Sequence, residues 1–320
     1  MTAKVIGTGS YVPENIVTNH DLAQIVETSD EWIRTRTGIQ TRHLATDQGC
    51  SEIAAKAAWN ALEGAQIKPE EIDFILVATS TPDKHFPGCA CEVQAKIGAL
   101  NAAAYDISAA CSGFIFALST MCTFIQTGVY KTGLVIGVDV LSKLVDWKDR
   151  GTCILFGDGA GAVLVQAADT GVKHFVMGSD GKRGDVLSCV NRTTGNFLNH
   201  EKPDMGYMTM DGQEVFKFAV KKVPECILQL LEESHTNVKD VQYFILHQAN
   251  VRILESVAKR LGEPMEKFPQ NIERYGNTSG ASIPILLDEC NKRGTFQSGD
   301  KIVLAGFGAG LTWGAILLEW

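Results

Sequence analysis

The stretch Ile72-Asp73-Phe74-Ile75-Leu76-Val77 decides the fold, because its pattern returns far downstream as Val241-Gln242-Tyr243-Phe244-Ile245-Leu246. Both are short apolar runs rich in β-branched and aromatic residues, the composition of a strand covered on both faces. What precedes them also matches. Helical periodicity over Ala54–Gly64 and a Pro69-Glu70-Glu71 turn lead into the first; periodicity over Val220–Glu233 and Val238-Lys239-Asp240 lead into the second. Each half then closes on a glycine-punctuated apolar segment that reads as a hairpin, Ile154–Leu164 in the first and Leu304–Leu318 in the second. The repeat predicts two similar α/β halves, residues 1–168 and 169–320, meeting near residues 165–175.

Outward from this pair, helical periodicity is clearest in Ser51–Ala65, Cys111–Thr127, Val215–Ser234 and Val251–Leu261. Buried strands are expected at Phe74–Ala78, Leu134–Val138, Cys153–Phe156, Tyr243–Leu246 and Lys301–Ala305. Strands alternating with helices make an α/β fold whose sheets are covered.

Composition narrows the function. The 320 residues are 45% hydrophobic and 21% charged, which is globular rather than disordered. A net charge of −8, from 37 acidic against 29 basic residues, argues against a nucleic-acid binder that works by broad phosphate neutralisation. Nine cysteines cannot all pair, and no Cys-x-x-Cys occurs, so neither a disulfide framework nor a zinc site fits. His20, His43, His85, His174, His200 and His235 show no metal-ligand spacing, and no metal is expected. Met1-Thr2-Ala3-Lys4 runs into Val5-Ile6-Gly7 without the features of a signal peptide, and no run of about 18 apolar residues occurs. The expectation is a cytoplasmic protein with reduced thiols and no membrane partner.

Gly157-x-Gly159-x-Gly161 invites a dinucleotide-binding reading, but that fingerprint needs a helix after it. Here Ala162–Gln166 is apolar and β-branched, so the glycines are expected to serve close packing of strands. Cys111 stands out among the cysteines. It follows a strand-like stretch through Ala103, Tyr105 and Ile107 and opens a helix, where the dipole and free N–H groups favour a thiolate. The other eight are expected to be buried and inert. His247 ends an apolar strand, at the position occupied by Ala78 in the first half. Asn277 lies in the small-residue turn Gly276–Ser282. All three are expected at carboxyl ends of strands, where open α/β sheets bind ligands. No Gly-x-Ser-x-Gly elbow occurs.

Taken together, Ala110-Cys111-Ser112-Gly113-Phe114, His247-Gln248-Ala249-Asn250, Gly276-Asn277-Thr278-Ser279 and Gly306–Gly314 resemble the β-ketoacyl-[acyl-carrier-protein] synthase III family, the initiating condensing enzymes of bacterial fatty acid synthesis. Asp30–Ile39, Asp149–Thr152 and Phe156–Gly161 extend the likeness across the chain. The resemblance implies the thiolase-like fold, two pseudo-symmetric halves in α-β-α-β-α layers. It implies transfer of an acyl group, typically acetyl, from acyl-CoA to Cys111, then decarboxylative condensation with malonyl-ACP. His247 and Asn277 would donate to the malonyl thioester oxygen. The backbone N–H groups of Cys111 and Ala309 would form the oxyanion hole of acyl transfer. Trp32, Arg36, Thr37 and Arg150 would bind CoA, and Gln248, Ala249, Asn250, Val251 and Arg252 the acyl carrier protein. Phe86 would reach the acyl pocket of a neighbouring subunit, making a homodimer. The two thioesters are substrates, so no cofactor is implied. A secondary-metabolite condensing enzyme using another acyl donor shares these motifs. A carrier-protein-binding scaffold without catalysis is disfavoured by the presence of all three site residues.

Overall fold

Apolar segments pair into two sheets of matching order in the computed structural model, which describes residues 1–200, 202 and 205–320. The first holds β1 (Thr2–Tyr11), β2 (Phe74–Ala78), β3 (Ala103–Ile107), β4 (Thr132–Asp139) and β5 (Gly159–Ala168), in the spatial order β1-β5-β4-β2-β3. The second holds β6 (Val172–Ser179), β7 (Tyr243–Leu246), β8 (Lys301–Gly308) and β9 (Thr312–Glu319), in the order β6-β9-β8-β7. Directions match as well. β1 and β4 run antiparallel to β5 while β4 and β2 are parallel; β6 and β8 run antiparallel to β9 while β8 and β7 are parallel. In the second sheet β3 has no strand counterpart.

The principal helices are α1 (Asp30–Thr37), α2 (Cys50–Ala65), α3 (Cys89–Ile97), α4 (Gly113–Gln126), α5 (Gly212–Glu233), α6 (Val251–Leu261) and α7 (Ser282–Lys292). Three apolar clusters arrange them in layers. On one outer face Ile53, Ala57 and Ala61 of α2 and Val93 of α3 pack against Ile75, Val77 and Leu134. Small residues bring α2 close: a Cβ on Gly9 would lie 2.3 Å from the Ala57 carbonyl oxygen. Between the sheets, Phe114, Leu118 and Met121 of α4 meet Leu286 and Leu287 of α7, with Leu76, Val163, Ile245 and Leu304 above and below. On the far face Ile227 and Leu230 of α5 and Leu254 and Val257 of α6 cover Phe244, Val303 and Leu317. The result is α-β-α-β-α. Each fully buried Leu, Ile or Phe contributes about 1.5–3 kcal/mol, which is why the central helix α4 is apolar nearly all round.

Three expectations are corrected. Cys153–Phe156 is not a strand: Cys153 ends a short helix, Arg150–Cys153, and Phe156 makes only an isolated parallel bridge with Asn277. Its apolar side chains face the cluster of Ile33, Leu141 and Met208 rather than a sheet. The closing hairpin of the first half is therefore different. β5 pairs with β4 across the long connection Val140–Asp158, whereas β8 and β9 form a true hairpin. The glycines around the start of β5 serve close packing, but against helices rather than between strands: a Cβ on Gly157 would lie 2.2 Å from the Tyr275 carbonyl oxygen and one on Gly161 2.6 Å from Ile285 N.

The middle helix layer places the site. β3 leads through the turn Ala110–Ser112 into α4, and the turn Ser279–Ala281 leads into α7. Ala110 and Ser279, equivalent positions of the two halves, both adopt positive φ, 46° and 51°. Each turn thereby reverses sharply and sets its next residue, Cys111 or Gly280, at the head of a central helix.

Candidate active site

Cys111, His247 and Asn277 line one cavity of about 230 Å³, which Trp32, Arg36 and Thr37 also line. Cys111 is 8% exposed and packs on the β8 end, where a Cβ on Gly308 would lie 2.8 Å from its backbone nitrogen. Its thiol is pushed up to about 12, by burial first and by the Asp139 charge, against a hydrogen bond from Ser279 that favours the thiolate. Burial thus works against the thiolate expected from the helix end.

His247 follows β7, its N–H donating to the Ala305 carbonyl at 2.9 Å. The ring meets Phe307 edge-on, with centroids 5.3 Å apart. Neither ring nitrogen has a protein partner among the described residues, and burial pushes the pKa down to about 3. The imidazole is therefore neutral, with one N–H to give. Asn277 does not end a strand, contrary to expectation; it follows the short helix Ile272–Tyr275 and is clamped by backbone bonds with Leu155 and Gly157 at 2.8 and 3.0 Å. Its Oδ1 accepts the Ser279 N–H at 2.8 Å, so the amide offers its NH2 end to the cavity. Two neutral donors face the cavity that Cys111 lines, an arrangement suited to an oxygen that gains negative charge.

Comparison with known proteins identifies the family. Family models described as 3-oxoacyl-[acyl-carrier-protein (ACP)] synthase III match residues 105–181 and, for the C-terminal part, residues 231–320. The beta-ketoacyl-[acyl-carrier-protein] synthase III of Clostridium acetobutylicum is 53% identical over 321 residues, covering 100% of this chain and 99% of that protein. The chain belongs to the β-ketoacyl-[acyl-carrier-protein] synthase III family. The solved 3-oxoacyl-[acyl-carrier-protein] synthase III of Aquifex aeolicus superposes with a TM-score of 0.93 at 46% identity, over 99% of this chain and 100% of the other. The priming β-ketosynthase of the R1128 polyketide pathway does so at 0.92 and 34%, over 99% and 96%. The thiolase-like layering is that of the synthase III enzymes, and the chain is a condensing acyltransferase.

The remaining expected residues divide. Trp32 is flanked by two guanidinium groups, Arg36 at 4.6 Å and Arg150 at 4.8 Å from the ring centroid. Thr37 reaches the cavity, but its hydroxyl donates to the Ile33 carbonyl at 2.7 Å and closes the end of α1. Gln248 is corrected as a docking contact: it is 1% exposed, donates to the Leu246 carbonyl at 2.9 Å and accepts from Asn271 N at 3.3 Å. Ala249 and Asn250 line the cavity, and Asn250 caps α6 while donating to the Arg36 carbonyl at 3.0 Å. Val251 sits against Gly38, and the exposed Arg252 donates to the Thr35 carbonyl at 2.9 Å. Phe86 is 86% exposed and lies outside its own chain's cavity. Ala309 has no positive φ, so alanine fits there; the unusual φ of 134° falls on Gly310. Thr312 holds the turn by donating to the Ala309 carbonyl at 2.9 Å, with Ser112 Oγ 2.7 Å from Thr312 Oγ1.

Of the other cysteines, Cys50, Cys89, Cys122, Cys153, Cys226 and Cys290 are buried as expected, but Cys91 is exposed and Cys189 half-buried. Among the described residues no group of three or more ligands could hold a metal, and no helix is long and apolar enough to cross a membrane. Sequence reading gave no place to Asp139, which is buried at the end of β4 with its carboxyl group bonded to the Ser80 and Gly280 N–H groups. The available signal was an acid ending the apolar run Leu134–Val138.

Proposed function

We propose that this synthase III initiates type II fatty acid synthesis in the cytoplasm: Cys111 takes an acyl group from acyl-CoA, and the acyl-enzyme condenses with malonyl-ACP. The observation that carries the reading is the single cavity uniting a buried thiol, a neutral histidine and an asparagine with its NH2 free. In the first stage the Cys111 sulfur attacks the acyl carbon, the carbon–sulfur bond to CoA breaks, and the N–H groups of Cys111 and Ala309 receive the oxyanion. In the second stage malonyl-ACP loses carbon dioxide. His247 and Asn277 donate to the thioester oxygen as enolate charge develops, and the new carbon–carbon bond releases Cys111.

Trp32, with Arg36 and Arg150 on its faces, offers an aromatic plane and two cations for the adenine and phosphates of CoA. Ala249, Asn250, Val251 and Arg252 meet the acidic carrier, with Arg252 supplying the exposed charge despite a net charge of −8. The exposure of Phe86 supports a homodimer in which it enters the partner's acyl pocket. The two thioesters are substrates, and the chemistry calls on no cofactor. A second reading, a secondary-metabolite condensing enzyme with another acyl donor, draws on the likeness to the R1128 ketosynthase. An acyl-CoA panel with malonyl-ACP separates the two.

The division of labour is tested by single substitution. His247→Ala and Asn277→Ala should form acyl-enzyme within about tenfold of the wild-type rate yet lose condensation by about a hundredfold or more. Intact-mass detection of the adduct and of carrier product reads both steps. Equal losses in the two steps would contradict the assigned roles.

A further inference from the structure

Arg42 is a buried cation with no evident reason to be buried. It lies on the short strand Thr41–His43, is 0% exposed, and bonds only neutral oxygens. Burial lowers its pKa to about 10, so at neutral pH it keeps its charge. A charge held away from water without an anion is costly, and an apolar side chain of similar volume would fill the space at less expense. What the guanidinium holds together therefore matters more than the space it fills.

Its two arms point to different parts of the chain. Nη1 donates to Asn19 Oδ1 at 2.9 Å and to the Val17 carbonyl at 3.3 Å, and Nη2 donates to the Ile154 carbonyl at 2.8 Å. Nε has no partner among the described residues. Asn19, itself 1% exposed, passes the tie on: its Nδ2 donates to Asp30 Oδ1 at 2.9 Å and to the Ile39 carbonyl at 2.8 Å. Asp30 is the first residue of α1, and Ile39 follows its Gly38 cap. One arm thus reaches both ends of the helix that carries Trp32 and Arg36. Ile154, on the other arm, directly follows the short helix Arg150–Cys153.

These are the two walls that bring Arg36 and Arg150 to the Trp32 ring. Two cations on one ring repel each other, so their shared position needs a frame behind it. At the surface the walls also meet where Arg150 Nη1 donates to the Glu27 carbonyl at 3.0 Å, but that bond is exposed. The Arg42 bonds are buried, and its stem is packed closely: a Cβ on Gly157 would lie 3.2 Å from Arg42 Cβ, and one on Gly276 3.5 Å. The planar fork directs its two arms at fixed angles, which a single ammonium nitrogen does not.

We propose that Arg42 is a positioning residue for nucleotide recognition, its guanidinium fork fixing α1 against the Arg150 helix so that Trp32, Arg36 and Arg150 are already placed when an acyl-CoA arrives. It touches no substrate. The role rests on the reading of those three residues as the CoA clamp, and it acts by reducing the ordering that binding would otherwise require.

The test compares two donors of one acetyl group, acetyl-CoA and acetyl-pantetheine, which lacks the nucleotide. Acylation is followed by intact mass against donor concentration for wild type, Trp32→Ala, Arg42→Lys and the double variant. Arg42→Lys, which keeps the charge and loses the fork, should lose about tenfold more efficiency with acetyl-CoA than with acetyl-pantetheine, in half-saturating concentration rather than saturated rate. In the Trp32→Ala background the same change should alter the donor ratio by less than about twofold, because the clamp it positions is gone. Equal losses with both donors, no loss, or a loss confined to the saturated rate overturns the positioning role. If Arg42→Lys fails to fold by circular dichroism, Asp30→Ala, at the half-buried outer link, decides on the same criterion. A Trp32→Ala protein that does not discriminate between the donors overturns the clamp itself; one that does, beside an Arg42→Lys protein that does not, removes Arg42 alone.

Discussion

His247 shows at the scale of one residue what burial does to chemistry. Its two ring nitrogens have no partner among the described residues, so a charge there would go unsolvated, and the pKa falls from 6.5 to about 3. Between those values the unfolded chain binds a proton that the folded one refuses. The stability contribution of neutral His247 is therefore present above pH 6.5 and lost as pH falls toward 3, by about 1.4 kcal/mol per pH unit. Urea unfolding at pH 6.5 and pH 5 should show a loss about 2 kcal/mol larger in the wild type than in His247→Asn, which cannot titrate. Identical pH dependence would mean that the histidine is solvated or paired. The sequence singled out Cys111 and His247 by the ends of periodic segments and Asn277 by a small-residue turn, and the fold brings the three to one cavity. The buried setting of Asp139 was not legible, since an acid closing a strand has an ordinary local explanation, and only the fold ties its carboxyl group to the Ser80 and Gly280 N–H groups.

Among elements, those with a clear period and apolar composition emerged nearly to the residue: β2 and β7 coincide with the expected strands, and α6 with the expected helix. Cys153–Phe156 misled because an apolar run is equally satisfied by a side cluster beneath a turn, and composition does not distinguish that from a sheet. The closing glycines follow from element packing as well. Gly308 lies where the end of β8 touches the head of α4, and a methyl group there would stand 2.8 Å from Cys111 N and 3.0 Å from its Cβ. Gly308→Ala should cost about 1–3 kcal/mol and slow acyl-enzyme formation by about tenfold or more, because the backbone that must yield carries Cys111, the proposed nucleophile. Gly98→Ala, at φ 74° with open space around it, is the control and should lower the melting temperature without touching the acylation rate. Adduct kinetics alongside thermal melts check both; an unimpaired Gly308→Ala would show that the contact is dispensable.

Across the whole molecule, duplication supplies the frame and asymmetry supplies the chemistry. The two sheets repeat the same order and directions, yet Cys111 faces Gly280, His247 faces Ala78, and Asp139 faces Gly308 as equivalent positions. The repeat was readable because a covered strand and its preceding helix keep their pattern under divergence. The second sheet's missing counterpart of β3 was not, since the polypeptide there runs through short helices and a turn to Asn277. The claim that these asymmetric residues make one two-stage site meets its most direct test in a single-turnover measurement. The protein is loaded with acetyl-CoA, freed of CoA, and mixed with malonyl-ACP while both proteins are followed by mass. The account predicts an acetyl adduct on the peptide bearing Cys111, absent from Cys111→Ala, that disappears as a 3-oxoacyl group appears on the carrier. No adduct, or an adduct that persists while the carrier gains nothing, would contradict it.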